Sequence, residues 1–498
     1  MRVAAQGPRC RSRFARRTAF AGAAFAAVAT LALATPVGAL AHGALIGKQD
    51  LPIPSWLFAW GASLVLIVSF VALSAAWRTP RYEEDSWRAG PRWLSRLLVN
   101  RATEVLAGLI GALLLVAVIY TGLAGTESPD RNFAVAFVFV TFWLGFVFVS
   151  ILLGDVFRAF NPWRAIARFF AGLFQLVAGQ SAPAPFRYPE RLGRWPAAIG
   201  VLLFMWFELV YSIGFQSVGV TPRDVGIAAS LYTVYTLTGM ALFGIEKWLQ
   251  RGEAFSVLFG MFARLAPLEV RDGELGRRRW LSGTTGWAGI PGSVALILIV
   301  IGGTAYDGAS EGTLAPAREW LFEVLSGGAF GNVFAYRVTD TIFLLLVILT
   351  VTAIFWVGIS GMHTVKSGLS TRELGRRFAH SFIPIAVAYL VAHYFSIFWF
   401  LEQAQFTYLL SDPLGEGADL FGTASGGIDY ASLSANATWY VQVGALVFGH
   451  VAALVLGHDR ALAVYGDTKS ASRSQYWMLG LMVAFTCLGL FLLSQSNA

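Results

Sequence analysis

Four of the six histidines lie between Arg377 and Asp459. His393 is near the middle of RFAHSFIPIAVAYLVAHYFSIFWFLEQ, an apolar run that opens with His380 and closes with Glu402. His450 lies inside a second run, WYVQVGALVFGHVAALVLGHD, which closes with His458. A third run, PAAIGVLLFMWFELVYSIGFQSV, carries Glu208. An ionisable group in hydrocarbon costs about 3 kcal/mol or more unless it faces protein or a wet cavity, so Glu208, His393 and His450 are the functional candidates. Imidazole and carboxyl change charge near neutral pH when their surroundings shift them, which suits a proton relay or the polar site of a small solute. The same three residues are also possible ligands of a transition metal, with His393 and His450 on adjacent helices and Glu208 as a third donor. No HxH, HExxH or CxxC spacing fixes a chelate locally. The plainer use of each His is a single hydrogen bond between packed helices.

Position along the helices relates these residues to one another. Glu208 follows Trp195 by 13 residues, and His393 follows His380 by the same number. At about 1.5 Å per residue both lie roughly 20 Å from the end where their runs begin, so they can meet near the middle of the bilayer. His450 is eight residues from the corresponding end of its own run, about 12 Å deep and two turns away from His393.

Composition requires a membrane around these runs. Hydrophobic residues make up 56% of 498, charged residues only 13%, and the mean hydropathy is +0.62, far too apolar for a water-soluble domain. The expected fold is an all-α, polytopic transmembrane bundle of about ten spans, near 54 to 76, 102 to 124, 133 to 153, 195 to 216, 224 to 245, 288 to 305, 338 to 360, 380 to 402, 438 to 457 and 476 to 494. Before them, six arginines precede the run TAFAGAAFAAVATLALATPVGAL, and Ala39-Leu40-Ala41 has the small-x-small form of a cleavage site. Residues 1 to 41 are therefore expected to be a signal peptide, leaving His42 as the mature N-terminus of one transmembrane domain over 42 to 498. An N-terminal His offers amine and imidazole together, so His42 is a further candidate metal ligand, for copper.

The charges assign the sides. With the mature N-terminus outside, 26 Lys and Arg fall in the five loops assigned to the cytoplasm and only five in the outer segments. This positive-inside asymmetry places the protein in a bacterial cytoplasmic membrane with both mature termini outside, and it accounts for the net charge of +8 without a nucleic-acid partner. Two inner segments, near 155 to 178 and 253 to 267, repeat Phe, Leu and Arg at helical spacing and are expected to be helices lying flat in the membrane surface. The outer segments 306 to 337 and 403 to 437 are acidic, with Asp307, Glu311, Glu319 and Glu323 in the first and Asp412, Glu416, Asp419 and Asp429 in the second. They read as solvated loops. No phosphate-binding loop, dinucleotide fingerprint or nucleophile elbow is present, so any chemistry falls to residues in or beside the helices.

The segments GDVFRAFNPWRAIAR, EAFSVLFGMFARLAPL, HSFIPIAVAYLVAHYFS and SDPLGEGADLFGT resemble a family of bacterial polytopic membrane proteins, some of which are labelled fenitrothion hydrolase. The resemblance spans nearly the whole mature chain and implies hydrolysis of an organophosphorus triester, with metal ligands at the site. Three readings follow. The first is a permease-like or accessory protein handling a small solute or protons at Glu208, His393 and His450. The second is a membrane-embedded hydrolase of the resemblance, and the third is a structural subunit of a membrane complex.

Overall fold

The computed structural model describes residues 55 to 180, 183 to 211, 220 to 310, 312 to 327 and 331 to 496. The expected signal peptide and His42 lie outside them. Among the described residues the chain is almost entirely helical. Its main helices are α1 (Ser55–Ala76), α2 (Arg101–Ala124), α3 (Phe133–Leu153), α4 (Pro162–Ala178), α5 (Trp195–Tyr211), α6 (Pro222–Phe243), α7 (Ala254–Phe262), α8 (Ser293–Ser310), α9 (Ala315–Ser326), α10 (Asn332–Gly361), α11 (Ile383–Ala404), α12 (Ala435–Tyr465) and α13 (Tyr476–Ser496).

Among the described residues, eight helices are long and apolar enough to cross a membrane, and a ninth is gained if Thr468–Ser474 and α13, bent by 42° at their junction, form one span. The shorter apolar helix α5 fills the remaining position of the ten expected from sequence. The protein is therefore an all-α, multi-pass membrane bundle. Short polar signals start the helices. Asn100 accepts from Thr103 N at α2, Thr221 and Asp224 form a reciprocal capping box before Pro222 at α6, and Ser434 accepts from Ala437 N at α12.

α8 is the centre of the bundle. It packs against α5 on one side, α10 on another and α11 on a third. α11 and α12 run antiparallel, and α1 and α13 close the outside of α12. The α11–α12 approach is set by Gly449, where a Cβ would meet Ala388 Cβ at 2.3 Å and the Pro384 carbonyl oxygen at 2.8 Å. No larger residue fits that crossing.

The Arg-rich end carries a small antiparallel sheet, β1 (Arg88–Ala89), β2 (Leu268–Arg271) and β3 (Glu274–Arg277), in the order β1-β3-β2, with Arg88 opposite Arg277 and Leu268 opposite Arg277 on the other edge. Beside it lies α7, within the segment 253 to 267 that the sequence reads as a surface-lying helix. In α7, residues Phe255, Val257, Leu258, Phe259, Met261 and Phe262 are all buried, because apolar groups occur around the whole helix and not on one face only. Fully buried Glu253 caps it by accepting from Phe255 N and Ser256 N, and Tyr232 OH donates to the same carboxylate. α4 differs. Arg164 ties its start to Glu104 and Glu246, and from Arg168 onward it leaves the bundle with Phe169, Phe170, Leu173 and Phe174 exposed.

Candidate functional site

The residue that gathers the site is Asp307, which the sequence pattern assigned to an outer loop. α8 continues to Ser310, five residues beyond the expected end of that span, so Asp307 lies on a helix inside the bundle. The continuation is physical: Thr304, Tyr306, Ala309 and Ser310 are all buried against neighbours, and Ser310 Oγ donates back to the Asp307 carbonyl. Packing extends the helix past the point where hydropathy alone would end it.

Asp307 Oδ2 accepts two hydrogen bonds of 2.7 Å, one from His393 Nε2 and one from Tyr394 OH. Both donors are on α11, where consecutive residues 393 and 394 diverge enough to clasp one carboxylate oxygen from two directions; their rings meet edge to face at 4.6 Å. Gly308 lies beside the His393 ring, where a Cβ would stand 3.6 Å from Nδ1 in ordinary van der Waals contact. Glu208 is within electrostatic range of both Asp307 and Tyr394. It sits on a π-helical turn, Phe207–Tyr211, at the end of α5, a kind of helix defect that often marks functional sites. The end of α5 is tied to its neighbours by Trp206 Nε1 donating to Thr341 Oγ1 at 2.8 Å and by the Arg337 guanidinium stacked 4.0 Å from the Tyr211 ring.

Exposure separates this cluster from the core. From Leu296 to Ser310, Asp307 and Gly308 are the two residues of α8 that are not buried. The side chains of His393 and Asp307 remain 16% and 20% exposed. The bonded pair therefore keeps part of its surface open near the C-terminal end of an otherwise buried helix.

The three residues singled out by sequence are thus only partly brought together. His393 and Glu208 join the same cluster through Asp307. His450 does not: its Nδ1 bonds the Leu446 carbonyl of its own helix at 2.8 Å, and its ring lies edge-on to Tyr389, 6.2 Å away. For the same reason His393, His450 and Glu208 do not form one ligand cluster. Among the described residues, no three His, Cys, Asp or Glu side chains are grouped to hold a metal ion.

A second buried charge pair joins α9 to α10 beside the end of α8. Arg318, on α9, donates through Nε and Nη2 to Asp340 Oδ1 at 2.8 Å and through Nη1 to the Ser310 carbonyl. Burial opposes the charge of Arg318, yet the hydrogen bond and charge of Asp340 outweigh it and hold the guanidinium above its ordinary range. Glu402 accepts from Thr141 Oγ1 at 3.1 Å, two to three turns along α11 from His393. The acidic segment after α11 uses its carboxylates as turn caps: Asp412 accepts from Glu416 N and Gly417 N, and Asp419 accepts from Ser411 Oγ and Ala424 N. The Ser411 hydroxyl, followed by those backbone donors, holds the Asp419 carboxyl below its usual range.

Compared with known proteins, the chain matches no family model, no curated protein and no solved structure.

Proposed function

We propose that this protein is a permease-like component of the cytoplasmic membrane that takes up and releases protons, alone or coupled to a small solute, at Asp307, His393, Tyr394 and Glu208. The observation that carries the reading is the Asp307 carboxylate, bonded to an imidazole and a phenol at 2.7 Å inside the bundle and still partly exposed. An Asp–His pair can gain or lose a proton at modest cost near neutral pH, whereas a permanently charged pair cannot. Glu208 adds a second carboxyl within electrostatic range, so the site has places for more than one proton. The Lys- and Arg-rich end, with its small sheet, faces the cytoplasm on this reading, and α4 lies in the inner surface with its phenylalanines among the lipid chains.

The hydrolase reading implied by the family resemblance needs clustered metal ligands, and among the described residues none are grouped in that way. Proton handling is therefore preferred. The test is proton flux into proteoliposomes carrying a pH-sensitive dye, driven by a potassium diffusion potential. Wild-type protein is expected to conduct. Asp307→Asn and His393→Gln are expected to purify normally and lose at least tenfold in flux. Wild-type flux in Asp307→Asn would overturn the reading.

A further inference from the structure

Inward from the Asp307 cluster, two buried imidazoles along the α11–α12 seam share an unusual bonding pattern. His450 is fully buried, and its Nδ1 lies 2.8 Å from the Leu446 carbonyl oxygen. His380 is 2% exposed, and its Nδ1 lies 2.9 Å from the Arg377 carbonyl oxygen. A carbonyl can only accept, so Nδ1 carries the hydrogen in both rings. In the neutral ring, Nε2 then holds a bare lone pair. Neither Nε2 has a hydrogen-bond partner in the protein, although a buried polar atom left unmatched costs about 1–3 kcal/mol.

Both rings belong to segments packed along the α11–α12 contact. Gly449 against Ala388 and Pro384, and Gly457 facing Ser381 at 4.0 Å, fix the antiparallel register. His450 and Gly457 are seven residues apart, two turns, and so share a face of α12 at a separation of about 10 Å. His380, next to Ser381, thus lies roughly 10 Å inward of His450. Outward, Gln442 is 3% exposed with Oε1 unmatched by the protein, and the register sets it level with His393. His458 is turned about 100° away from Gly457, toward α1, where its Nε2 bonds the Trp77 carbonyl at 3.1 Å. Gln442, His450 and His380 thus lie along the α11–α12 contact, whereas the buried His458 turns to α1, with its Nε2 on the Trp77 carbonyl and its Nδ1 unmatched by the protein.

We propose that this seam is the inner leg of the proton path, linking the Asp307–His393 pair to the cytoplasm through His450 and then His380, with water between them. The proposal rests on the proton-handling reading of the Asp307 site. In each step a hydronium ion or water-borne proton bonds to the Nε2 lone pair, giving an imidazolium whose Nδ1–H stays on its backbone carbonyl. The same Nε2–H bond then breaks toward the next water and the lone pair returns, so the ring keeps its tautomer and needs no flip. Arg460 is within electrostatic range of His380 at the inner mouth, and Tyr389 is the polar ring facing His450. Tyr389 has its hydroxyl committed to the Phe485 carbonyl at 3.0 Å, which leaves the imidazole as the group that can accept.

The dye-loaded proteoliposome assay tests the path with four variants of the full chain. Asp307→Asn reports on the site itself, His450→Gln and His380→Gln on the seam, and His458→Gln on an imidazole outside it. The expected result is a loss of at least tenfold in the first three, with His458→Gln near wild type. Loss in Asp307→Asn with wild-type flux in His450→Gln would overturn the seam and leave the site standing. Wild-type flux in Asp307→Asn, or none in the wild type, would overturn both. If His450→Gln does not fold, His450→Ala is measured with and without added imidazole. Restored flux supports the seam, and a folded variant that conducts without imidazole overturns it.

Discussion

Asp307 and Asp340 both lie near the end of α8, yet the two acids behave as opposites. Asp340, 1% exposed at its side chain, is held by two Arg318 nitrogens. Asp307 is held by an imidazole and a phenol and is 20% exposed. Arginine never gives up its proton in a protein, so the first pair is a fixed strut between α9 and α10. Histidine can give up its proton, so the second pair is able to change state. The difference teaches that two acids inside one membrane bundle can be told apart by the chemistry of their partners and not by burial alone.

The comparison can be broken at the strut first. Arg318→Leu leaves Asp340 buried without its counter-charge and is expected to cost about 3–5 kcal/mol in stability, read from chemical or thermal unfolding in detergent. Adding Asp340→Leu to it should recover most of that loss, because an apolar pair of similar volume removes the uncompensated charge. If the double variant stays as unstable as the single one, the pair is not a simple strut.

The Asp307 side is expected to show the reverse balance. His393→Gln keeps a hydrogen-bonding amide, so it should cost under about 2 kcal/mol in stability while lowering proton flux at least tenfold. A stability loss as large as that of Arg318→Leu would make His393 a second strut. Tyr394→Phe removes one donor to Asp307 and no titrating partner, so its expected cost is smaller still, about 0.5–1.5 kcal/mol, with flux reduced less than in His393→Gln. Flux lost as completely in Tyr394→Phe would assign the phenol, and not the imidazole, as the essential group.

What could be read from the chain beforehand follows the same division. The ten apolar runs were legible because each helix must satisfy its own backbone in hydrocarbon, which writes length and hydropathy into consecutive residues. His393 and Glu208 stood out for the converse reason, as ionisable groups inside those runs. Asp307 did not, since it lies just beyond an apolar stretch and its partners are 86 and 87 residues away in sequence. Nothing local records that α11 packs on α8 in that register. Arg318 and Asp340 were hidden in the same way, as ordinary charges near the ends of helices. The limit at α7 is a different one. Its Phe and Leu spacing fits a membrane-surface helix, and only the buried cap at Glu253 and the surrounding helices reveal that it is enclosed.

The fit at Gly449 has a mechanical consequence. With the α12 backbone seated directly on Ala388 and Pro384, even one methyl group at position 449 would have to push α12 away from α11, so Gly449→Ala is expected to lower thermal stability in detergent although it touches no ionisable group.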